Sequence, residues 1–129
     1  MFICNLNTEQ QAAMLALAEL IVRADDEIAP EEYAILASLK SQCSPNVKPI
    51  SIEFPNLPTT FPHRASQASL ILELLGVAYA DAEYHESERG LIREIANALS
   101  LEATLLEDME LWVERQFIMA KEAQKFMED

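Results

Sequence analysis

Apolar residues recur at helical spacing through most of this 129-residue chain. Met14, Leu17, Ala18 and Ile21 follow the i, i+3, i+4, i+7 pattern of an amphipathic helix. No long run shows the strict alternation, or the enrichment in Val, Ile and Thr, that is typical of strands. The pattern therefore predicts an all-α fold, a bundle of about five to seven helices.

Local signals predict where three of the helices begin. Thr8 followed by Gln11 has the spacing of a capping box, with Thr8 as the N-cap. Pro30 fits the first position of the second helix, because the N–H that proline lacks is not needed there. Ser100 is the predicted N-cap of the last helix.

The third predicted helix, about 64–80, is the most apolar one. Its segment from Leu70 to Ala78 is apolar on nearly all sides, which predicts the buried centre of the bundle. Gly76 lies inside it and costs up to about 1 kcal/mol relative to alanine, so we expect close packing against a neighbouring helix there. The last helix has a predicted inner stripe of Leu105, Leu106, Met109, Trp112 and Val113.

A proline-rich segment separates the two halves of the chain. Five of the six prolines lie between Pro45 and Pro62, a density that predicts an extended connector without helix. The apolar residues of this connector are expected to pack on the helices, and its exposed remainder is a candidate partner site. We therefore expect a single domain, divided into repeat one (about 8–42), the connector (43–62), repeat two (about 63–99) and a C-terminal helix (100–128).

An acidic motif occurs twice, 56 positions apart. Residues 23–32 read R-A-D-D-E-I-A-P-E-E, and residues 79–88 read Y-A-D-A-E-Y-H-E-S-E. Each copy lies between two apolar helical runs, so each is predicted to be a turn that joins two helices. The chain is thus interpreted as a duplicated helix–acidic turn–helix unit.

The two acidic turns are candidate sites for a divalent cation. Calcium and magnesium are bound by several oxygen ligands, which carboxylates in a turn between helices supply. His85 would also suit a softer ion such as zinc. The EF-hand pattern fails, since Pro30 and Glu86 occupy the position that needs glycine. The predicted metal ligands are Asp25, Glu27 and Glu32 in the first turn, and Asp81, Glu83 and Glu88 in the second.

Helix capping is the alternative interpretation of the same residues. Asp25 and Asp81 would accept backbone N–H groups of the turns, while Glu32 and Glu88 would complete capping boxes near the positive helix N-termini. Each cap of this kind contributes about 1 kcal/mol. The additional acids crowded into both turns repel one another, a cost that a bound cation relieves and capping does not.

Composition limits the classes of function. The 22 acidic and 9 basic residues give a formal net charge of −13, which repels nucleic acid and anionic membranes. No segment reaches the roughly 20 apolar residues of a membrane span, and the N-terminus does not read as a signal peptide. Cys4 and Cys43 have no zinc-binding or disulfide pattern, and no catalytic nucleophile with a base is recognisable. We expect a non-enzymatic cytoplasmic protein.

The repeated acidic turn in a small acidic all-α chain resembles the TerB-like family. That family includes bacterial tellurite-resistance proteins and the N-terminal regions of certain membrane-anchored DnaJ-type cochaperones. The resemblance is carried by A-D-D-E-I at 24–28 with Glu32, and by A-D-A-E-Y at 80–84 with Glu88. It implies a pseudo-two-fold helical bundle whose paired acidic residues bind metal ions, with a role in stress or toxic-anion resistance.

Two functional hypotheses follow. The first is a bacterial TerB-like protein that binds divalent cations at Asp25/Glu32 and Asp81/Glu88. The alternative is an interaction scaffold whose acidic face docks a basic protein partner, with the acidic pairs serving only as helix caps. The sequence identifies neither that partner nor the oligomeric state.

Overall fold

Helices form all of the regular structure in residues 1–24, 30–80 and 84–129, the part of the chain that the computed structural model describes. No strand occurs in these ranges, which confirms the predicted all-α class. Short 3-10 helices lie at Ile3–Asn5 and Phe54–Asn56. The α-helices are α1 (Thr8–Val22), α2 (Pro30–Gln42), α3 (Leu57–Thr60), α4 (Arg64–Ala78), α5 (Glu86–Ala98) and α6 (Ala103–Lys125).

The helix bounds repeat with the same offset as the sequence motif. Helices α1 and α4 both have 15 residues and begin at Thr8 and Arg64, 56 positions apart. Helices α2 and α5 both have 13 residues and begin at Pro30 and Glu86, again 56 positions apart. The duplication read from the acidic turns therefore extends over four helices.

Helix α4 lies at the centre, as predicted. It contacts α1, α2, α5, α6 and the N-terminal 3-10 helix. Its side chains Leu70, Ile71, Leu74 and Leu75 are fully buried. Because α4 packs against helices of both repeats, the buried residues of the two repeats form one core.

The first helix begins one residue earlier than its sequence signal suggests. Asn7, and not Thr8, is the N-cap of α1, and its side chain accepts the N–H of Gln10 at 2.8 Å. Gln10 in turn accepts the N–H of Asn7 at 2.9 Å, which completes the capping box one position before the predicted pair. Gln11 has a different role, accepting the N–H of Ser44 at the start of the connector at 2.8 Å.

The prediction of a connector without helix is wrong for residues 54–60. A 3-10 helix and the single turn of α3 form there, with Pro55 and Pro58 in the first turns, where a missing N–H is tolerated. The segment packs on the core through Leu57 and Phe61, which are fully buried. Ile50 does not share in this packing, since 65% of it is exposed.

Hydrogen bonds tie the connector to α1. The N–H of Ile50 donates to the carbonyl of Ala12 at 3.1 Å. The side-chain amide of Gln10 donates to the carbonyl of Thr60 at 2.9 Å. The connector is thus attached to α1 at Ile50, in its extended part, and at Thr60, the last residue of α3.

The last helix starts later than predicted and extends past the core. Ser100 has a positive φ of 59°, and Glu102 is the N-cap of α6. Leu106, Met109 and Val113 of the predicted inner stripe are buried, and Trp112 packs edge-to-face on Phe2 at 5.7 Å between ring centroids. Every residue from 118 to the end of the chain is exposed.

Candidate functional site at the two acidic turns

Two of the six predicted ligands lie in the part of the chain that the structure describes. Glu32 and Glu88 are the third residues of α2 and α5, and they are only 2% and 1% exposed. Asp25, Glu27, Asp81 and Glu83 fall outside the described residues. For each predicted Asp/Glu pair, the structure therefore describes the position of the glutamate, Glu32 or Glu88, but not that of the aspartate.

Both carboxylates sit in the first turn of a helix. The N–H groups there have no partner within the helix, and the helix dipole favours negative charge. Glu88 accepts the N–H of His85, the N-cap residue of α5, at 3.1 Å. This bond is the capping interaction expected of Glu88, and it helps to offset the cost of burying the carboxylate.

The two turns also begin in the same way. Arg23 and Tyr79 end the preceding helices with φ of −87° and ψ near zero. The N–H of Ala24 donates to the carbonyl of Ile21, and the N–H of Ala80 donates to that of Val77, each at 3.2 Å. The chain thus enters both turns with matching geometry.

The other candidate acids around the turns differ in placement. Glu31 and Glu86 are exposed and His85 is half-buried, while Asp26 lies outside the described residues. Within residues 1–24, 30–80 and 84–129, no three His, Cys, Asp or Glu side chains gather closely enough to hold a metal ion. A cation site at either turn would therefore need the turn's own aspartate and glutamate in addition to Glu32 or Glu88.

An aromatic cluster that sequence reasoning missed lies beside the second turn. The rings of Tyr79 and Tyr84, on either side of the turn, are 4.6 Å apart between centroids. Phe117 of α6 lies 6.1 Å from Tyr79, and the Arg89 guanidinium lies over the Tyr84 ring at 4.7 Å. The available signal was that two of the chain's three tyrosines flank this turn.

Acidic side chains of α6 complete the surroundings of this cluster. Burial raises the pKa of the Tyr84 hydroxyl, and the neighbouring Glu110 carboxylate raises it further. The two groups lie close together without forming a hydrogen bond of regular geometry. Burial likewise raises the pKa of Tyr79, with smaller contributions from Glu114 and Glu110. A cleft of about 310 Å³ opens here, lined by Tyr79, Arg89, Glu107, Glu110, Leu111 and Glu114.

Among the described residues, those that flank the first turn differ from those beside the second. Arg23 occupies the position equivalent to Tyr79, and Tyr33, equivalent to Arg89, is largely exposed. Helix α6 packs extensively on α4 of the second repeat. It does not pack extensively on α1, the helix of the first repeat that corresponds to α4. The described residues at the entries of the two turns are therefore alike in backbone conformation, while the described surroundings of the turns differ.

Comparison with known proteins bears on the same half of the chain. Residues 56–111 match the family model described as tellurite resistance protein TerB. This part of the chain is similar to the TerB family. The matched residues include the end of the connector, the second repeat with its acidic turn, and the first part of α6. They confirm the family resemblance carried by the acidic motif.

Searches of curated proteins and of solved structures found no significant match to this chain. Among the helices of the described residues, none is long and apolar enough to span a membrane.

Proposed function

We propose that this TerB-like protein binds divalent cations at its two acidic turns, with calcium or magnesium favoured and zinc as a further candidate. The proposed ligands are Asp25, Glu27 and Glu32 in one turn, and Asp81, Glu83 and Glu88 in the other. The observation that supports the proposal most is the equivalence of Glu32 and Glu88, two buried carboxylates at the same position of duplicated helices.

Capping does not prevent Glu88 from binding a cation. An ionised carboxylate has two oxygens with about four lone-pair directions, so one hydrogen bond from the N–H of His85 does not by itself use all of them. A cation on the turn side would gain from the negative charge of the neighbouring acids and would reduce their mutual repulsion. Capping and metal binding are thus compatible roles of the same side chain.

The test is a titration of calcium, magnesium and zinc into metal-stripped protein, followed by calorimetry and thermal unfolding. A ligand at 100 times its Kd stabilises the folded state by about 2.7 kcal/mol. For 129 residues this raises the Tm by about 10 °C. Absence of binding heat and of any Tm rise with all three ions would refute the proposal.

A pair of double variants separates metal binding from capping. Asp81→Asn with Glu88→Gln removes two charges and the charged cap, so the Tm in chelator should fall as well. The informative quantity is the increase in Tm when metal ion is added. In this variant that increase should be smaller by the contribution of the second turn. Asp108→Asn with Glu94→Gln removes two charges from exposed helix positions and should leave that rise unchanged.

The Glu88–His85 bond favours a second candidate function. If Glu88 serves only as a helix cap, as its bond to His85 suggests, the acidic pairs are structural. The protein would then act through its surface. The net charge of −13 then makes a basic protein partner the best electrostatic match. In either case we propose a non-enzymatic role in the bacterial cytoplasm, in stress or tellurite resistance, as the family resemblance implies.

A further inference from the structure

One face of α6 carries apolar and acidic side chains in alternation. Glu107, Leu111, Glu114 and Ile118 are separated by four, three and four positions, so they lie along one side of the helix. All four are exposed, with 53% of Leu111 and 50% of Ile118 accessible to solvent. This stripe, Glu107 to Ile118, is hereafter the α6 face.

The α6 face borders the cleft beside the second turn. Glu107, Leu111 and Glu114 line both. Arg89 and Glu110 of the cleft each carry a covered polar atom without a hydrogen bond of regular geometry, the Nε of Arg89 and one carboxylate oxygen of Glu110, and the Glu110 carboxylate neighbours the Tyr84 hydroxyl. Because these atoms are covered, the groups of the cleft that are most accessible to a partner are the exposed carboxylates of Glu107 and Glu114.

Helix α6 also continues where nothing in the described chain covers it. Its 23 residues span about 34 Å, against about 22 Å for the 15 residues of α4 on which it packs. The part beyond Phe117 is exposed on all sides and includes Ile118, Met119 and Phe126. Large apolar side chains exposed among charged ones are typical of a surface that another protein covers.

We propose that the α6 face and its cleft dock a basic amphipathic helix of a partner protein. The partner's apolar stripe would lie on Leu111 and Ile118, and its lysine or arginine side chains would pair with Glu107 and Glu114 and reach Glu110 in the cleft. This inference rests on the second of the two proposed functions, the interaction scaffold, and names its surface and the chemistry of its partner.

Charge decides between this occupant and the others. Three glutamates against Arg89 leave the cleft net negative, so it attracts cations. The described carboxylates do not converge enough to chelate a metal ion, whereas a helix carrying several positive charges can meet them one at a time. A second copy of the chain would bring another net charge of −13.

The probe for this surface is a fluorescein-labelled synthetic helix with a leucine stripe flanked by lysines, measured by fluorescence anisotropy at low salt in chelator. Wild type should bind it, and a version with glutamate in place of every lysine should not bind. Leu111→Ser should weaken binding, and so should Glu107→Gln with Glu114→Gln, by roughly five-fold for two exposed ion pairs. All of these positions are exposed, and circular dichroism would verify that the helices are kept.

A charge-matched control, Glu9→Gln with Glu53→Gln, removes two exposed acids from α1 and the connector and should leave binding unchanged. Equal weakening by this control would mean binding through net charge alone and would overturn the proposal. If the α6 variants bind the helix as well as wild type does, the partner binds another surface. That result would refute the α6 face as the docking site but not the interaction-scaffold function. No binding would refute both. A wild-type dimer in sedimentation experiments that Leu111→Ser dissociates would identify a second copy as the occupant, against the proposal.

Discussion

Phe61→Ala is the sharpest test of how the connector is held. Phe61 is completely buried, so its truncation removes apolar contacts and leaves a cavity. Changes of this kind cost about 3–5 kcal/mol. For a chain of 129 residues, the free energy of unfolding falls by about 0.27 kcal/mol per degree near the midpoint of thermal unfolding. The Tm of the variant should therefore be lower by about 11–18 °C.

Ile50→Ala is the matched control in the same connector. Most of the Ile50 side chain is in solvent, so its truncation should change the stability by less than about 0.5 kcal/mol, or about 2 °C. Urea unfolding of both variants gives the free-energy difference directly, provided that the m-value is unchanged. The reasoning fails if both variants lose the same small amount, because Phe61 would then not belong to the core.

Limited proteolysis supplies an independent measurement on the same segment. In the wild type, the packing of Leu57 and Phe61 and the bond from Ile50 to Ala12 should protect residues 43–62. Phe61→Ala should make the segment the first site of cleavage. Rapid cleavage of the wild type there would show a loose linker and would contradict the description of the connector.

Three further results are expected. Gly76→Ala should stabilise the protein by up to about 1 kcal/mol, because a Cβ there meets no atom within 4 Å; destabilisation in urea unfolding would reveal close packing after all. Exposed Cys4 should react with a thiol reagent well before Cys43, whose pKa is raised by burial and by Glu73, and equal rates in mass spectrometry would contradict this. The pKa of Tyr84 is raised in the folded state, so above about pH 10 the unfolded chain loses this proton more readily than the folded protein does. The contribution of Tyr84 to folding stability is therefore complete below about pH 10 and is lost as the pH rises further. Tyr84→Phe should therefore flatten the alkaline decline in stability, measured by urea unfolding at a series of pH values, and an unchanged decline would contradict the reasoning.

Structural features that depend on the spacing of nearby residues, such as the helices, could be predicted from the sequence. The 56-residue offset predicted the second pair of helices, and the apolar run from Leu70 predicted the central one. Helix starts were less certain, because Asn7 and Thr8 are both good caps and only the fold decides between them. Proline density misled for residues 54–60, since prolines at first-turn positions are compatible with short helices.

Features that depend on tertiary contact could not be predicted. Gly76 suggested a close helix crossing, and its surroundings are in fact open. Met119 has the spacing of a core residue of α6, but it lies past the end of the core and is exposed. The cleft beside the second turn forms only because α6 folds back on α4, which brings Glu110 and Phe117 to residues about 30 positions earlier in the chain.

The placement of α6 on only one half of the molecule makes the two turns thermodynamically distinguishable. A ligand common to both would meet tyrosines and the acids of α6 at one turn and an arginine with an exposed tyrosine at the other. The two similar motifs would then have unequal affinities, and a binding isotherm with two dissociation constants would describe their occupancy. The half-saturated protein would be mostly a single species, with one specific turn occupied, and a partner could distinguish it from both the empty and the full forms.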